Sequence, residues 1–270
     1  MATTTPPIEL RGLSYSIDGN AILDAIDLIV EPREIVAIMG RSGTGKTTLL
    51  RLIMGLIKPS AGAILVNGTD IAQLDENDLD RIRAKMGMIF QAGALFDSMT
   101  VAENVGFALV EHRLVPRQEI GGRVHQLLDM VDMAGTEGLL PAQLSGGMRK
   151  RVGIARALAQ QPEIVLYDEP TAGLDPISAA AIDHLLIRLR DQVGVASVIV
   201  SHDVTSLRRV ADRAALLHHG RFLGVGPIAE LDRSPDPAIQ QFLSGDPEGP
   251  LTEDHGPSHG PALSLPNGGA

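Results

Sequence analysis

The octapeptide Gly40-Arg41-Ser42-Gly43-Thr44-Gly45-Lys46-Thr47 constrains this chain more than any other stretch, because it matches G-x-x-x-x-G-K-[ST] in one particular setting. A short run rich in Ile and Val at 34–39 leads into it, and an amphipathic helical pattern at 46–56 leaves it. In that setting the glycines let the backbone fold tightly, so that its N–H groups point inward at phosphate oxygens. The N-terminus of the following helix adds a fixed positive potential. Lys46 is spaced to bridge the β- and γ-phosphates of a nucleotide, Thr47 to put its hydroxyl on Mg2+, and the adjacent Thr48 to donate to the α-phosphate.

The rest of the pattern agrees with an α/β fold built on a mainly parallel sheet. A continuous apolar run at 164–167 suits a strand buried on both faces. A helix is predicted over 176–191, with Asp175 as N-cap, Pro176 at the first helical position and Ile182, Leu185, Leu186 and Leu189 on one face; a further strand follows at 198–200. Residues 8–30 read as an antiparallel hairpin turning at Asp18-Gly19-Asn20. Between about 92 and 160 the strand signal fades, while Val124, Leu127, Leu128 and Val131 keep helical spacing, which predicts a helical insertion. From Gly245 onward, six Gly, five Pro and four acidic residues in 26, with no Lys or Arg, predict a disordered or partner-bound tail at 245–270 behind one domain at 1–244.

Composition removes several function classes. Hydrophobic residues at 44% and charged residues at 21% exclude a chain disordered throughout. With 3% aromatics, no Trp and a net charge of -10, of which the tail carries -4, nucleic acid is not an expected partner. The absence of Cys excludes disulfides and thiolate zinc sites. The first ten residues lack the pattern of a secretory signal, and apolar stretches such as 49–57 fall well below the roughly 18 residues of a membrane span. Membrane association is therefore expected through a partner.

Two further clusters carry chemistry. Asp168 and Glu169 end the buried strand, where one carboxylate can hold Mg2+ and the other can orient or deprotonate an attacking water. Leu144-Ser145-Gly146-Gly147-Met148 precedes a helical pattern at 152–158 and forms a second Gly-rich anion site. One nucleotide does not need two such sites, so the economical reading is that the second closes on the nucleotide of another copy of the chain. The Arg149-Lys150-Arg151 run reads as a solvated helix face, and His218-His219 and His255/His259 as a solvated loop and tail rather than metal ligands.

Taken in order, the loop at 40–47, Gln91 after the apolar run 86–90, the 144–148 segment, the acidic strand end at 168–169, Gly173-Leu174-Asp175 and His202 resemble the ATPase subunits of ABC transporters, from residue 8 to about 231. That resemblance implies a P-loop, RecA-like core with an N-terminal antiparallel β subdomain and an inserted helical subdomain. It implies ATP as substrate, held by Gly40 through Thr48, with Lys46 acting on its phosphates. Glu169 would be the catalytic base, Asp168 the carboxylate and Thr47 the hydroxyl on Mg2+, and His202 a γ-phosphate contact. Gln91 would touch Mg2+ or the lytic water and report nucleotide state to a membrane partner. Ser145, Gly146 and Gly147 would meet the nucleotide of a second copy, Asp175 would lie at the dimer seam, and Tyr15 would stack on adenine.

Segments 90–104 and 144–156, with Met148 where solute importers more often carry Gln, are similar to lipid-transport ATPases of the MlaF/Mkl type. This narrower resemblance implies phospholipid transport between membranes with an MlaE-type integral permease, an MCE-domain lipid-binding protein and a small regulatory subunit. The chain would lie peripherally at the cytoplasmic face of the inner membrane. A polar amino-acid or other small-solute importer shares every catalytic residue and is the alternative. A soluble ABC ATPase of DNA repair or translation is the remote one.

Overall fold

A computed structural model describes residues 5–91 and 93–253. In chain order it runs β1 (Ile8–Ile17), β2 (Asn20–Val30), β3 (Ile35–Met39), α1 (Lys46–Ile53), β4 (Ala61–Val66), β5 (Thr69–Asp70), α2 (Glu76–Arg83) and β6 (Met86–Ile89). Then come α3 (Val101–Glu111), α4 (Ile120–Met130), α5 (Gly146–Leu158), β7 (Ile164–Asp168), α6 (Pro176–Val193), β8 (Ala196–Ser201) and α7 (Val204–Val210). The chain closes with β9 (Arg213–His218), β10 (Arg221–Gly226), α8 (Ile228–Leu231), α9 (Pro237–Ser244) and α10 (Pro250–Glu253).

The central sheet has the order β10-β9-β3-β8-β7-β6, parallel throughout except for the antiparallel edge strand β10. Apart from the edge strand β10, its strands are apolar on both sides because both sides are covered. Along β3, Ile35, Ala37 and Met39 enter the core under the helices, while Val36 and Ile38 enter the core against α1 and the second sheet. Val165 and Tyr167 against Ile164 and Leu166 repeat the division on β7. A period of two with both phases buried is what a covered parallel sheet requires.

The predicted hairpin is present, with Ile17 opposite Asn20, but it belongs to a larger element. β4 pairs with the free edge of β1, and β5 with β4, to make a four-stranded antiparallel sheet in the order β2-β1-β4-β5. Chain distant in sequence completes it, so local patterning alone could not reveal its size.

The helical insertion is α3, α4 and the first part of α5. Thr100 and Glu103 start α3 with a reciprocal capping box, and Val124, Leu127, Leu128 and Val131 pack into the same core as Val105 and Leu109. The buried amide of Asn104 shapes the segment before α3: it accepts from Phe96 N and donates to the carbonyls of Phe96, Met99 and Thr100. No helix among the described residues is long and apolar enough to cross a membrane.

Residues 245–253, the start of the stretch expected to be disordered or partner-bound, lie against the body of the fold. Leu251 is buried, Gln241 accepts from its N–H at 2.7 Å, and Arg41 of the glycine-rich loop donates to its carbonyl. Composition could not anticipate this, since one leucine and a buried glutamine on α9 suffice to dock the turn. Residues 254–270, with His255 and His259, lie outside the described residues.

Candidate active site

Four adjacent parallel strands deliver the site at their C-terminal ends: β3 runs into Gly40, β8 into His202, β7 into Asp168 and Glu169, and β6 through Phe90 into Gln91. That edge is where open α/β sheets bind ligands. The loop at 40–47 needs its glycines at two points in particular. A Cβ on Gly40 would lie 2.6 Å from the Leu217 carbonyl oxygen, and Gly45 has φ +100 at the helix entry. No side chain caps the first turn of α1, in contrast to α5 and α6, so its N–H groups face the loop for an anionic ligand. Lys46 is buried, and its ammonium donates to the carbonyls of Gly40 at 2.8 Å and Arg41 at 2.9 Å. Burial lowers its pKa, against the opposing pull of Glu169 and Asp168. Thr44, Thr47 and Thr48 are half-buried, whereas Arg41, Ser42 and Gly43 are exposed.

Thr47 donates its hydroxyl to Asp168 Oδ1 at 3.1 Å, joining two hard oxygen donors at the root of the loop. Burial raises the Asp168 carboxyl above the usual carboxylate range; the Thr47 hydrogen bond opposes this and neighbouring Glu169 adds to it. A buried carboxylate disfavoured by its surroundings beside a hydroxyl is a donor set that fits Mg2+, with phosphates and waters completing the shell. No cluster of three or more His, Cys, Asp or Glu among the described residues forms an all-protein metal cage.

Glu169 adopts φ +49, in the left-handed region, which turns its carboxylate away from the strand direction. Ser201 donates to Oε2 at 3.1 Å and His202 Nδ1 lies 2.9 Å from Oε1, so both oxygens are oriented from the end of β8. His202 itself is exposed.

Gln91 is also exposed. Ser145 N-caps α5 by accepting from Met148 N at 3.2 Å, leaving Gly146 and Gly147 in the first turn. A Cβ on those glycines would meet Leu174 and Ser178, so the segment abuts the start of α6, where Asp175 accepts from Ile177 N and Ser178 N at 3.0 Å. Among the described residues no hydrogen bond joins 145–147 to the glycine-rich loop of the same chain. Tyr15 is half-buried and packs on the core between the sheets, across from Leu23.

Two residues missed by sequence reasoning complete the site. Ser201, an ordinary strand-end serine in the sequence, orients Glu169. Lys150 is not on a solvated face: it is buried, and its ammonium donates to the carbonyls of Gln91 and, at 3.1 Å, Glu169. The Arg149-Lys150-Arg151 run is divided, with Arg149 donating to the Leu144 carbonyl and Arg151 binding Asp132 and the Val131 carbonyl. The available signal was helical spacing, since Lys150 precedes buried Gly153 and Ile154 by three and four residues. His218 ends β9 and is half-buried, while His219 is exposed in the turn to β10; their rings meet at a tilt of 54° with centroids 4.0 Å apart, beside a cavity shared with Arg41, Ser42 and Leu251.

The sequence profile of the family described as ABC transporter matches residues 23–172. The intermembrane phospholipid transport system ATP-binding protein MlaF of Escherichia coli K12 is 40% identical over 244 residues, covering 90% of this chain and 91% of that protein. The probable ribonucleotide transport ATP-binding protein mkl of Mycobacterium tuberculosis H37Rv is 38% identical over 244 residues, covering 90% of this chain and 68% of that protein. Among solved structures, a dimeric ATP-binding cassette in a post-hydrolysis state with ADP and Pi is similar at TM-score 0.74 and 32% identity, covering 82% of this chain and 98% of that chain. A Clostridium perfringens component of the cbiONQ ABC transporter is similar at TM-score 0.80 and 30% identity, covering 85% of this chain and 92% of that chain. With these likenesses spanning the loop, the acidic strand end and the helical insertion alike, the chain belongs to the ABC transporter family as an ATP-binding, ATP-hydrolysing subunit.

Proposed function

We propose that this chain binds MgATP at the β3–α1 loop, hydrolyses it as a pair of copies, and so powers phospholipid movement through a separate membrane permease. The observation that carries the catalytic reading is the oriented Glu169 carboxylate beside the Thr47–Asp168 pair. The loop N–H groups and Lys46 bind the phosphates. Thr47, Asp168 and Gln91 would hold Mg2+, which when bound neutralises phosphate charge. Glu169 accepts a proton from the attacking water, Ser201 and His202 hold its carboxylate toward that water, and His202, exposed at the mouth, reaches the γ-phosphate. Tyr15 offers its ring to adenine.

The second copy is required by the separation of half-sites. Ser145, Gly146 and Gly147 abut α6 rather than their own loop, next to an Ile177 that is 83% exposed at the start of that helix. An anion site that faces away from its own loop suits a seam with another copy, closed by that copy's nucleotide.

The permease has a candidate seat in a cleft of about 720 Å³ between the β6 edge and the insertion, lined by Leu56, Met88, Phe90, Phe107 and Arg156. Leu56, Phe90 and Phe107 are exposed there, and Gln91 lies one residue from Phe90, so an occupant sits beside the site. An MlaE-type permease with an MCE-domain lipid-binding protein and a small regulatory subunit would hold the chain at the cytoplasmic face of the inner membrane. This part rests on the MlaF likeness and the 90–104 and 144–156 segments.

The deciding experiment captures the chain from native membranes in mild detergent and identifies co-purifying proteins and lipids by mass spectrometry. An MlaE-like permease, an MCE-domain protein and phospholipid are expected. A permease with a solute-binding protein, or a nucleoside-selective one, would overturn the lipid reading and leave the ATPase intact.

A further inference from the structure

We propose that Lys150 is a positioning residue for hydrolysis, tying helix α5 to the Gln91 segment and to the backbone of Glu169. The proposal rests on the reading of Glu169 as the base. Lys150 is 5% exposed, an unusual burial for an ammonium, and among the described residues it reaches no carboxylate partner. Its donors go to the two carbonyls at the ends of β6 and β7. Glu169 stands at φ +49, a backbone conformation that a residue with a Cβ holds only when its surroundings enforce it. The enforcement is visible: Glu169 N donates to Val200 O at 3.0 Å, and Glu169 O accepts from Ala172 N at 3.2 Å and from Lys150.

Gln91 stands where the chain leaves the core for the helical insertion, and α5 is where it returns. Lys150 therefore pins both ends of the insertion to the residue that orients the attacking water. Any rotation of the insertion against the central sheet has to carry Glu169 with it or break this contact. Burial lowers the Lys150 pKa, and the nearby charges of Glu169 and Asp168 oppose that.

The test uses the full chain with Lys150→Met, Lys150→Gln and Lys150→Arg. Steady-state kcat and KM are measured, with fluorescent ATP titration for binding. A misplaced base costs rate rather than affinity, so Lys150→Met is expected to lose at least about tenfold in kcat with ATP affinity within about twofold of the parent. Lys150→Arg, which keeps charge and donors, is expected to recover most of the rate.

If Lys150→Met does not fold, Lys150→Gln, neutral and able to donate, carries the test with a partial loss of kcat expected. Parent-like kcat in whichever neutral variant folds would overturn the proposal, and so would a loss confined to ATP affinity. Single-turnover rates complete the cycle. Because Lys150 acts through Glu169, Lys150→Met should add little to the loss in Glu169→Gln, and additive losses would overturn the positioning role. Full activity in Glu169→Gln alone would instead overturn the base assignment, so the two failures are distinguishable.

Discussion

Glu169→Gln isolates the chemistry of the proposed base from everything that holds it. The side chain is 12% exposed, with one oxygen accepting from Ser201 at 3.1 Å and the other 2.9 Å from His202 Nδ1. Glutamine fills the same volume and keeps one acceptor oxygen, and the Ser201 hydroxyl can turn to accept from the new amide. The backbone strain at φ +49 is the same for either residue. What disappears is the proton acceptor. General-base catalysis contributes about 10²–10⁴ in rate, so kcat should fall at least about a hundredfold, or about 2.7 kcal/mol in the barrier. No phosphate-binding residue is replaced, and the glutamine can still hydrogen-bond His202, so ATP affinity should stay within about threefold, and the unhydrolysed nucleotide should hold two copies together. Phosphate release, fluorescent ATP titration and light-scattering mass in MgATP measure the three quantities. A folded variant whose kcat remains within about tenfold of the parent would refute the assignment, and parallel loss of affinity would move Glu169 into the binding machinery.

The surroundings of Asp168 predict a pH-dependent stability. Its folded pKa is raised by burial, so its charge costs stability once pH exceeds the folded pKa; Asp168→Asn should raise Tm at neutral pH without nucleotide, by a margin that shrinks as pH falls through that pKa toward the unfolded one. A margin that does not change with pH would remove burial of the charge as the cause. Ser145→Arg should abolish hydrolysis while each chain still binds ATP, and unimpaired turnover would argue against a site shared between copies. Gly40→Ala drives a Cβ to within 2.6 Å of the Leu217 carbonyl, which cannot yield as a side chain would; at least about tenfold weaker ATP binding with unchanged circular dichroism is expected, and unchanged affinity would sink the steric account. Leu251→Ala should lower the local opening free energy of the 250–253 turn by about 2 kcal/mol, read as roughly 30-fold faster amide exchange at Leu251 and its neighbours, and an unchanged rate would mean that the turn is not held by this side chain.

Sequence reasoning reached the residues whose chemistry is local and stopped at those whose role depends on distant chain. The strand before Gly40, the Pro176 helix with its Asp175 cap and the hairpin at Asp18-Gly19-Asn20 are each specified within a few residues, and all are present. The joining of β4 to β1 and the docking of Leu251 under Arg41 depend on pairs separated by more than 45 and 200 residues, and the burial of Lys150 depends on carbonyls 59 and 19 residues away. Lys150 is the instructive case. A basic triplet on a helix is usually solvated, because burying an ammonium is costly. Here two backbone carbonyls offset that cost, and a carbonyl has no signature in a sequence.

The same contrast explains how the fold divides its labour. Rigid parallel strands, buried on both faces, aim Gly40, Asp168, Glu169 and His202 at one edge of the sheet, where small displacements matter most. Ser145, Gly146 and Gly147 sit instead at the start of α5, in the insertion, and Gln91 at its entrance. In the proposed reading a chain alone therefore holds a loaded nucleotide without finishing its enclosure. Completion requires a second copy to bring its α5 to the loop, and the insertion that carries α5 also borders the cleft offered to the permease. Docking in that cleft and closure on ATP thus act on one body, and Lys150 ties that body to Glu169.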